Sequence, residues 1–448
     1  MRKNISLFLL LQLFVASNIH AQPAGGPPKE AISICSNSNN GDTCSFNAPH
    51  GQVNGNCRQM GGSRLVCVPV EKSSQSQERQ PSRSGFSRVK ISGKDRGGKA
   101  VTSLVPDTNQ GSCFDEKSLI SCPKEGQEFF GQDANYFGAT PNYRDNLDGT
   151  ISDLVTGLTW QKAHNSKRLG YYEAKNFCES LSLGKRQNWR LPTIKELFSI
   201  ADFRGAQGKN YFLDSAYFDF SEPDQSVLEG DRFASTHSVQ MMGQTWSSTI
   251  YSGAHFGRAG TEAAFFFNFL DGHIKQAPTK GKMSLFYRCV QGDVWGENKF
   301  VDNQDKTVTD RSTNLQWQKI DDGKTRDWKD ALAYCQNLEL AGKNDWRLPS
   351  VKELQTIVNY QNHDPALDLK YLKLTDKKAW FWSSTTHGDN ISMASYVCFG
   401  PCTSKDGLDT HGAGAQRSDP KTGSATNFGS LGGQEDEVRI KNYVRCVR

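Results

Sequence analysis

Over residues 150–161 the apolar positions Ile151, Leu154, Leu158 and Trp160 flank Thr156-Gly157, a pattern that predicts a β-hairpin. Tyr171, Ala174, Phe177-Cys178 and Leu181 then recur at helical spacing, so a helix follows with Cys178 on its inner face. Thr193-Ile194-Lys195-Glu196 is a capping box, in which the hydroxyl accepts from the third helical amide and the glutamate reaches back to the amide of the cap. It opens a second helix directly after Pro192, with Leu197 and Ile200 facing the core. Residues 245–251, 263–270 and 284–291 are aromatic, β-prone and bounded by glycine. Hairpin, two helices and a β-rich half that closes on a terminal strand make an α+β module.

The pattern occurs twice. At an offset of 157 residues, Leu158-Thr159-Trp160-Gln161-Lys162 meets Leu315-Gln316-Trp317-Gln318-Lys319, Trp189-Arg190-Leu191-Pro192 meets Trp346-Arg347-Leu348-Pro349, and Arg288-Cys289-Val290 meets Arg445-Cys446-Val447. The helical spacing returns in Trp328, Ala331, Tyr334-Cys335 and Leu338, and the capping box in Ser350-Val351-Lys352-Glu353. Trp246-Ser247-Ser248-Thr249, however, meets Trp382-Ser383-Ser384-Thr385 at an offset of 136, so the second copy is 21 residues shorter before this element and 21 longer after it. Two long copies are a duplicated domain and not a solenoid, whose units run to about 50 residues at most. A framework kept while loops diverge is how a scaffold carries changing surfaces.

Twelve cysteines sharpen this map. Cys178 to Cys289 and Cys335 to Cys446 both span 111 residues despite the rearranged loops, which predicts two equivalent disulfides stapling first helix to last strand. In the loop-entropy account each contributes up to about 4–5 kcal/mol. Cys398 and Cys402 occur in one copy and read as a local loop staple, and Cys113 and Cys122 bracket a short turn ahead of the first copy. Cys35, Cys44, Cys57 and Cys67 lie in a segment too poor in aliphatics for a core, a two-disulfide module with three connectivities open and zinc as the other reading.

Such cysteine usage belongs outside the cytoplasm. Arg2 and Lys3 precede an apolar run over residues 5–15 and a polar stretch ending at Ala21, the layout of a Sec signal peptide over 1–21. The expected location is therefore periplasm, outer surface or extracellular space, with no spanning anchor after cleavage. A mean hydropathy of −0.63 and the lack of any run of about 18 apolar residues exclude a polytopic membrane protein. Nine Trp and 25 Phe exclude wholesale disorder. The formal charge of +5 is local: residues 71–99 carry eight basic side chains against three acids, in a Ser, Gln, Gly and Arg-rich stretch that reads as a flexible linker. The expected order is thus a leader over 1–21, a four-Cys module over 30–70, a basic linker over 71–110, a first domain over 111–292 and a second over 298–448.

Trp189-Arg190 and Trp346-Arg347 could read a carbohydrate or carboxylate. Their identity in both copies favours core packing, with the arginines paired to Glu196 and Glu353. The loops that differ between copies are the better binding candidates: His255, Arg258 and His273 in the first, His387, Asp389 and Asn390 in the second. Asp145, Asp148 and Asp153, repeated as Asp302, Asp305 and Asp310, lack EF-hand spacing and sit at ordinary turns. No HExxH or G-x-S-x-G occurs and no His is matched between copies, so no enzyme, cofactor or metal is expected.

The series Gly131-Gln132-Asp133, Asp148-Gly149-Thr150, Leu158 to Lys162, Trp189-Arg190-Leu191-Pro192-Thr193, Trp246 to Thr249 and Tyr287-Arg288-Cys289 resembles the bacterial family named after the C-terminal domain of the Legionella collagen-like adhesin, and the second copy repeats it from Asp305 to Cys446. The resemblance implies two tandem C-type-lectin-like domains in a secreted or cell-surface protein, with sulfated polysaccharide as the ligand in the name-giving adhesin. The partners it suggests are an extracellular polysaccharide or a surface protein in an envelope assembly, and no nucleic acid. The same lectin-like fold includes formylglycine-type oxidases, whose chemistry needs a free thiol.

Overall fold

The computed structural model describes residues 33–36, 39, 42–48, 51–59, 65–69, 98–164, 167–206, 209–221, 242–424 and 436–448. The expected leader and residues 71–97 of the basic linker lie outside these residues, while residues 98–110, expected as part of that linker, lie within them. The chain forms two compact units, residues 1–87 and 88–448. In the first, β1 (Thr43–Ala48), β2 (Gly51–Gln59) and β3 (Leu65–Pro69) form an antiparallel meander. Its buried apolar residues are Val66 and the four cysteines, bridged Cys35–Cys57 and Cys44–Cys67. With these sulfurs bonded to one another, none is a thiolate that could hold zinc.

The second unit holds both copies. In the first, β4 (Tyr143–Asp145), β5 (Thr150–Asp153) and β6 (Thr159–Gln161) pair in sequence, and the short β10 (Val290–Gln291) joins the β6 edge. The turn into β5 is built by Asp148, whose Oδ1 accepts from Thr150 N and Oγ1, and by Gly149 at φ 85°. The helix α1 (Tyr171–Ser180) buries Tyr171, Ala174 and Cys178, the stripe the spacing predicts, and Cys178 bonds to Cys289. Then α2 (Ile194–Ser199) starts at Thr193, whose Oγ1 accepts from Glu196 N while Glu196 Oε2 accepts from Thr193 N. Three long strands complete the copy: β7 (Gln244–Ile250), β8 (Ala263–Asn268) and β9 (Ile274–Pro278).

The second copy repeats this with β11 (Phe300–Asp302), β12 (Thr307–Asp310), β13 (Leu315–Gln318), α3 (Trp328–Gln336), α4 (Val351–Thr356), β14 (Trp380–Thr386), β15 (Met393–Cys398) and β16 (Gln416–Pro420). Cys335 bonds to Cys446, Cys398 to Cys402, and Cys113 to Cys122. The Ser-Ser-Thr after each Trp lies within the long strand, β7 or β14. Its hydroxyls fasten the strand to the helix: Thr249 Oγ1 accepts from Ile194 N and Thr385 Oγ1 from Val351 N, at 2.9 and 3.0 Å.

The copies do not stand apart as beads. Their β-rich halves fuse into one six-stranded antiparallel sheet, β7-β8-β9-β16-β15-β14, in which Ile274 of β9 pairs with Gln416 of β16. The two halves are related about that pair as by a two-fold axis, and the core of the second copy runs on into the first through Phe198, Phe212 and Phe267. Among the described residues no helix is long and apolar enough to cross a membrane.

Residues 98–137 form a strap, and its attachments are mostly to the second copy, although residues 111–137 are expected with the first. Leu104 N bonds to Thr313 O, Asn314 Nδ2 to Thr102 O and Lys421 Nζ to Asp115 O. Gln110 pairs its side-chain amide with the outer edge of β14, donating to Thr386 O (2.7 Å) and accepting from Thr386 N (2.9 Å). The Asp133 carboxylate accepts from Thr385 Oγ1 and Thr108 Oγ1, and Tyr136 lies under the Arg347 guanidinium.

Candidate functional site

The matched Trp and Arg residues are consumed by the framework. Arg190 grips Glu196 with two bonds of 2.7 and 2.6 Å, and Arg347 grips Glu353 with 2.6 and 2.7 Å. Trp189 and Trp346 are buried and donate from Nε1 to Arg186 O and Leu340 O. The arginines of Arg-Cys-Val are interior as well: Arg288 donates to the carbonyls of Gln161, Lys162 and Asp219, Arg445 to those of Gln318, Lys319 and Lys373. Burial pushes the two guanidiniums down, to about 9 and about 10. The turn carboxylates are engaged inside the protein too: Asp145 and Asp302 bind Lys162 and Lys319 at 2.5 Å, Asp148 binds Arg186 at 3.0 Å, Asp305 takes Thr307 N, and Asp153 and Asp310 accept from turn amides and hydroxyls.

A second set of polar groups closes the seam between copies. Lys195 Nζ reaches across to the last carbonyl of α4, Thr356 O (2.6 Å), and Lys352 Nζ reaches back to the last carbonyl of α2, Ser199 O (2.8 Å). Each lysine thus caps the other copy's helix, a cation at the negative end of a helix dipole. Burial pulls both ammonium groups down to about 8. At the sheet junction His273 and His387 stack at 4.4 Å with ring planes 6° apart. His387 Nε2 meets Asp271 O (3.1 Å) and His273 Nε2 meets Ser418 Oγ (3.1 Å).

Lys275 binds Asp271 at 3.2 Å, while Asp436 is held by Arg417 Nε at 3.0 Å and His411 Nε2 at 2.6 Å. Burial lowers His387 and His411 to about 4. Burial opposes the charge on Asp271 and Asp436, but Lys275 and Arg417 respectively overcome it and hold both carboxyls well below the usual range.

The six loop residues expected to bind therefore divide. His387 is 1% exposed and His255 5%, and His273 lies largely inside the seam, so these rings serve packing and leave no face for a large ligand. Asp389, Asn390 and Arg258 are exposed, the first two in the turn after β14, where Asn390 Oδ1 accepts from Ser392 N and Oγ. The Cys398–Cys402 loop is tied to the core, Trp380 Nε1 donating to Pro401 O while Arg439 covers the Trp380 ring at 3.6 Å.

At the end of the β8–β9 pair the first copy carries an exposed aromatic ring and, in the adjoining turns, exposed cations. Tyr172, 43% exposed on the outer face of α1, donates to Glu262 Oε1 (2.5 Å), which also accepts from Thr279 Oγ1 (2.6 Å). The hydroxyls of Thr279 and Tyr172 hold Glu262 below its ordinary value. Glu262 and Thr279 end the β8–β9 pair, and Arg258, Lys280 and Lys282 stand exposed in the turns beyond them, with Met283 44% exposed. Sequence spacing does not single out Tyr172, Lys280 and Lys282. The available signal is an aromatic on the polar side of the α1 stripe, at the place where the second copy has Lys329.

Two stretches of the chain, residues 149–291 and 306–448, each match the family described as the Lcl C-terminal domain. No curated protein and no solved structure matches the chain.

Proposed function

Because the chain belongs to the Lcl C-terminal domain family, we propose that it is an exported, non-enzymatic binding protein of the adhesin type, whose two C-type-lectin-like copies act as one rigid body on an extracellular anionic polysaccharide. The observation that carries the ligand class is the end of the β8–β9 pair, where the exposed Tyr172 is bound to Glu262, Lys280 bears on the Glu262 charge, and Arg258 and Lys282 are exposed in the adjoining turns. An aromatic face stacks on a sugar ring, and exposed cations fit sulfate or carboxylate groups. Six disulfides support an oxidising destination, and because they take all twelve cysteines no thiol is left for formylglycine-type oxidation.

Heparin chromatography of the full chain at low and physiological salt, with a glycan array, tests the reading. Retention that falls with salt and is lost in Arg258→Ala/Lys280→Ala/Lys282→Ala supports it, because an electrostatic contact is screened over about 8–10 Å. A chain retained on no glycan at low salt overturns it.

A further inference from the structure

The two copies differ most in what covers the outer edge of their first long strand. In the second copy the strap seals it: all of β14 is buried, Gln110 completes the backbone of Thr386, Asp133 takes the Thr385 hydroxyl, and Tyr136 screens Arg347, whose side chain is 4% exposed. Among the described residues only the short segment 295–298 has a counterpart role in the first copy, giving Gly296 O to Lys195 as the strap gives Asp107 O to Lys352. Among the described residues nothing stands at Ile250 where Gln110 stands at Thr386, nor at Thr249 where Asp133 stands at Thr385. Accordingly Ser248, Thr249 and Ile250 are half-buried and the Arg190 side chain is 26% exposed.

The groups that hold the strap are present on this open side. Arg190, Glu196, Ser248 and Thr249 match Arg347, Glu353, Ser384 and Thr385, and Ser248 N bonds to Pro192 O as Ser384 N bonds to Pro349 O. Ile250 takes the register of Thr386, each pairing with an alanine of the next strand, Ala264 or Ala394. Its outward N–H and C=O form the kind of edge that takes up a further chain.

We infer that the outer edge of β7 in the first copy docks an extended segment of a partner protein that reproduces the strap's chemistry. That segment supplies a side-chain amide to the Ile250 backbone, a carboxylate to the Thr249 hydroxyl and an aromatic ring to the Arg190 guanidinium. A polypeptide is the occupant the geometry favours, because the equivalent edge in the same molecule is closed by polypeptide. This surface is separate from the cationic end of the β8–β9 pair, so it stands whether or not a polysaccharide binds there.

The strap itself is the probe. A synthetic peptide of residues 103–137, oxidised at Cys113 and Cys122, labelled with fluorescein and carrying a photoreactive residue in place of the exposed Gly111 beside Gln110, is titrated onto the full chain. Saturable binding is expected, weakened about tenfold or more by Ser248→Arg, which fills the half-buried edge, and unchanged in Arg258→Ala. Cross-links are expected on the fragment that contains Ile250. Circular dichroism and the melting temperature of Ser248→Arg establish that the variant is folded, and Ile250→Asp serves as a second block. Absence of saturable binding at millimolar peptide, cross-links to Thr386 instead, or binding that both variants leave intact would overturn the inference. So would concentration-dependent dimers dispersed by Ser248→Arg, which would assign the edge to a second copy of the chain.

Discussion

Arg445 shows what a repeated residue does here. It is fully buried, with Asp321 3.9 Å away, and donates to three backbone carbonyls that converge from β13, the residue after it and Lys373. Truncation leaves those acceptors in the interior without a donor, at about 1–3 kcal/mol each. Arg445→Ala is therefore expected to lower the chain's stability by more than about 3 kcal/mol in urea unfolding, while Arg258→Ala changes it by less than about 0.5 kcal/mol. A loss below 1 kcal/mol for Arg445→Ala would show the carbonyls finding other partners. At this scale the sequence is informative: identity at matched offsets marks the arginines as framework, and the pairing of Arg190 with Glu196 and of Arg347 with Glu353 joins residues only six positions apart. The fate of His273 and His387 is not legible, since neither has a counterpart in the other copy and their contact joins residues more than a hundred positions apart.

Elements show the same division. Capping boxes and the α1 stripe are local patterns, and both helices start where Thr193 and Ser350 place them. The join between β9 and β16 leaves no comparable trace, because it is made by backbone groups that every residue carries. Close approaches at the seam are another product of tertiary packing. A β-carbon on Gly388, in the turn after β14, would lie 1.8 Å from the carbonyl oxygen of Gly205 in the first copy. Gly388→Ala must therefore push the turn away from the loop it rests on, and overpacking of this kind typically costs about 1–3 kcal/mol. Thermal unfolding should register that cost, whereas Lys282→Ala, at an exposed position, should be near neutral. Equal melting temperatures for the two variants would show that the turn yields without strain.

For the whole molecule, the seam makes stability depend on acid. His387 and His411 have folded values of about 4 against about 6.5 when unfolded, so between those pH values the unfolded chain binds protons that the fold refuses. Their contribution is present above pH 6.5 and is lost as pH falls through 4. His387 is faced by His273, Phe212, Asp271, Arg417 and Lys275, and His411 by Asp436, Arg417 and Lys275; Asp271 and Asp436 favour the added proton, but burial, with Arg417 and Lys275, outweighs them. Asp133 works in the other direction. Burial, with Asp107 beside it, raises it to about 7, and its contribution is lost as pH rises through that value. Urea midpoints between pH 7 and 4 are expected to fall, and His387→Gln to shallow the fall by up to about 3 kcal/mol. A variant with the parent's slope would remove His387 from the account.

The shared sheet has a further consequence, for the order of events at synthesis. A chain is made from its N-terminus, so the first copy is complete by Gln291 while β9 still presents a bare edge, and β16 follows only about 125 residues later. Over that interval the leading copy is an unfinished sheet that can pair with a neighbour's edge, and the trailing copy then acts as its built-in chaperone.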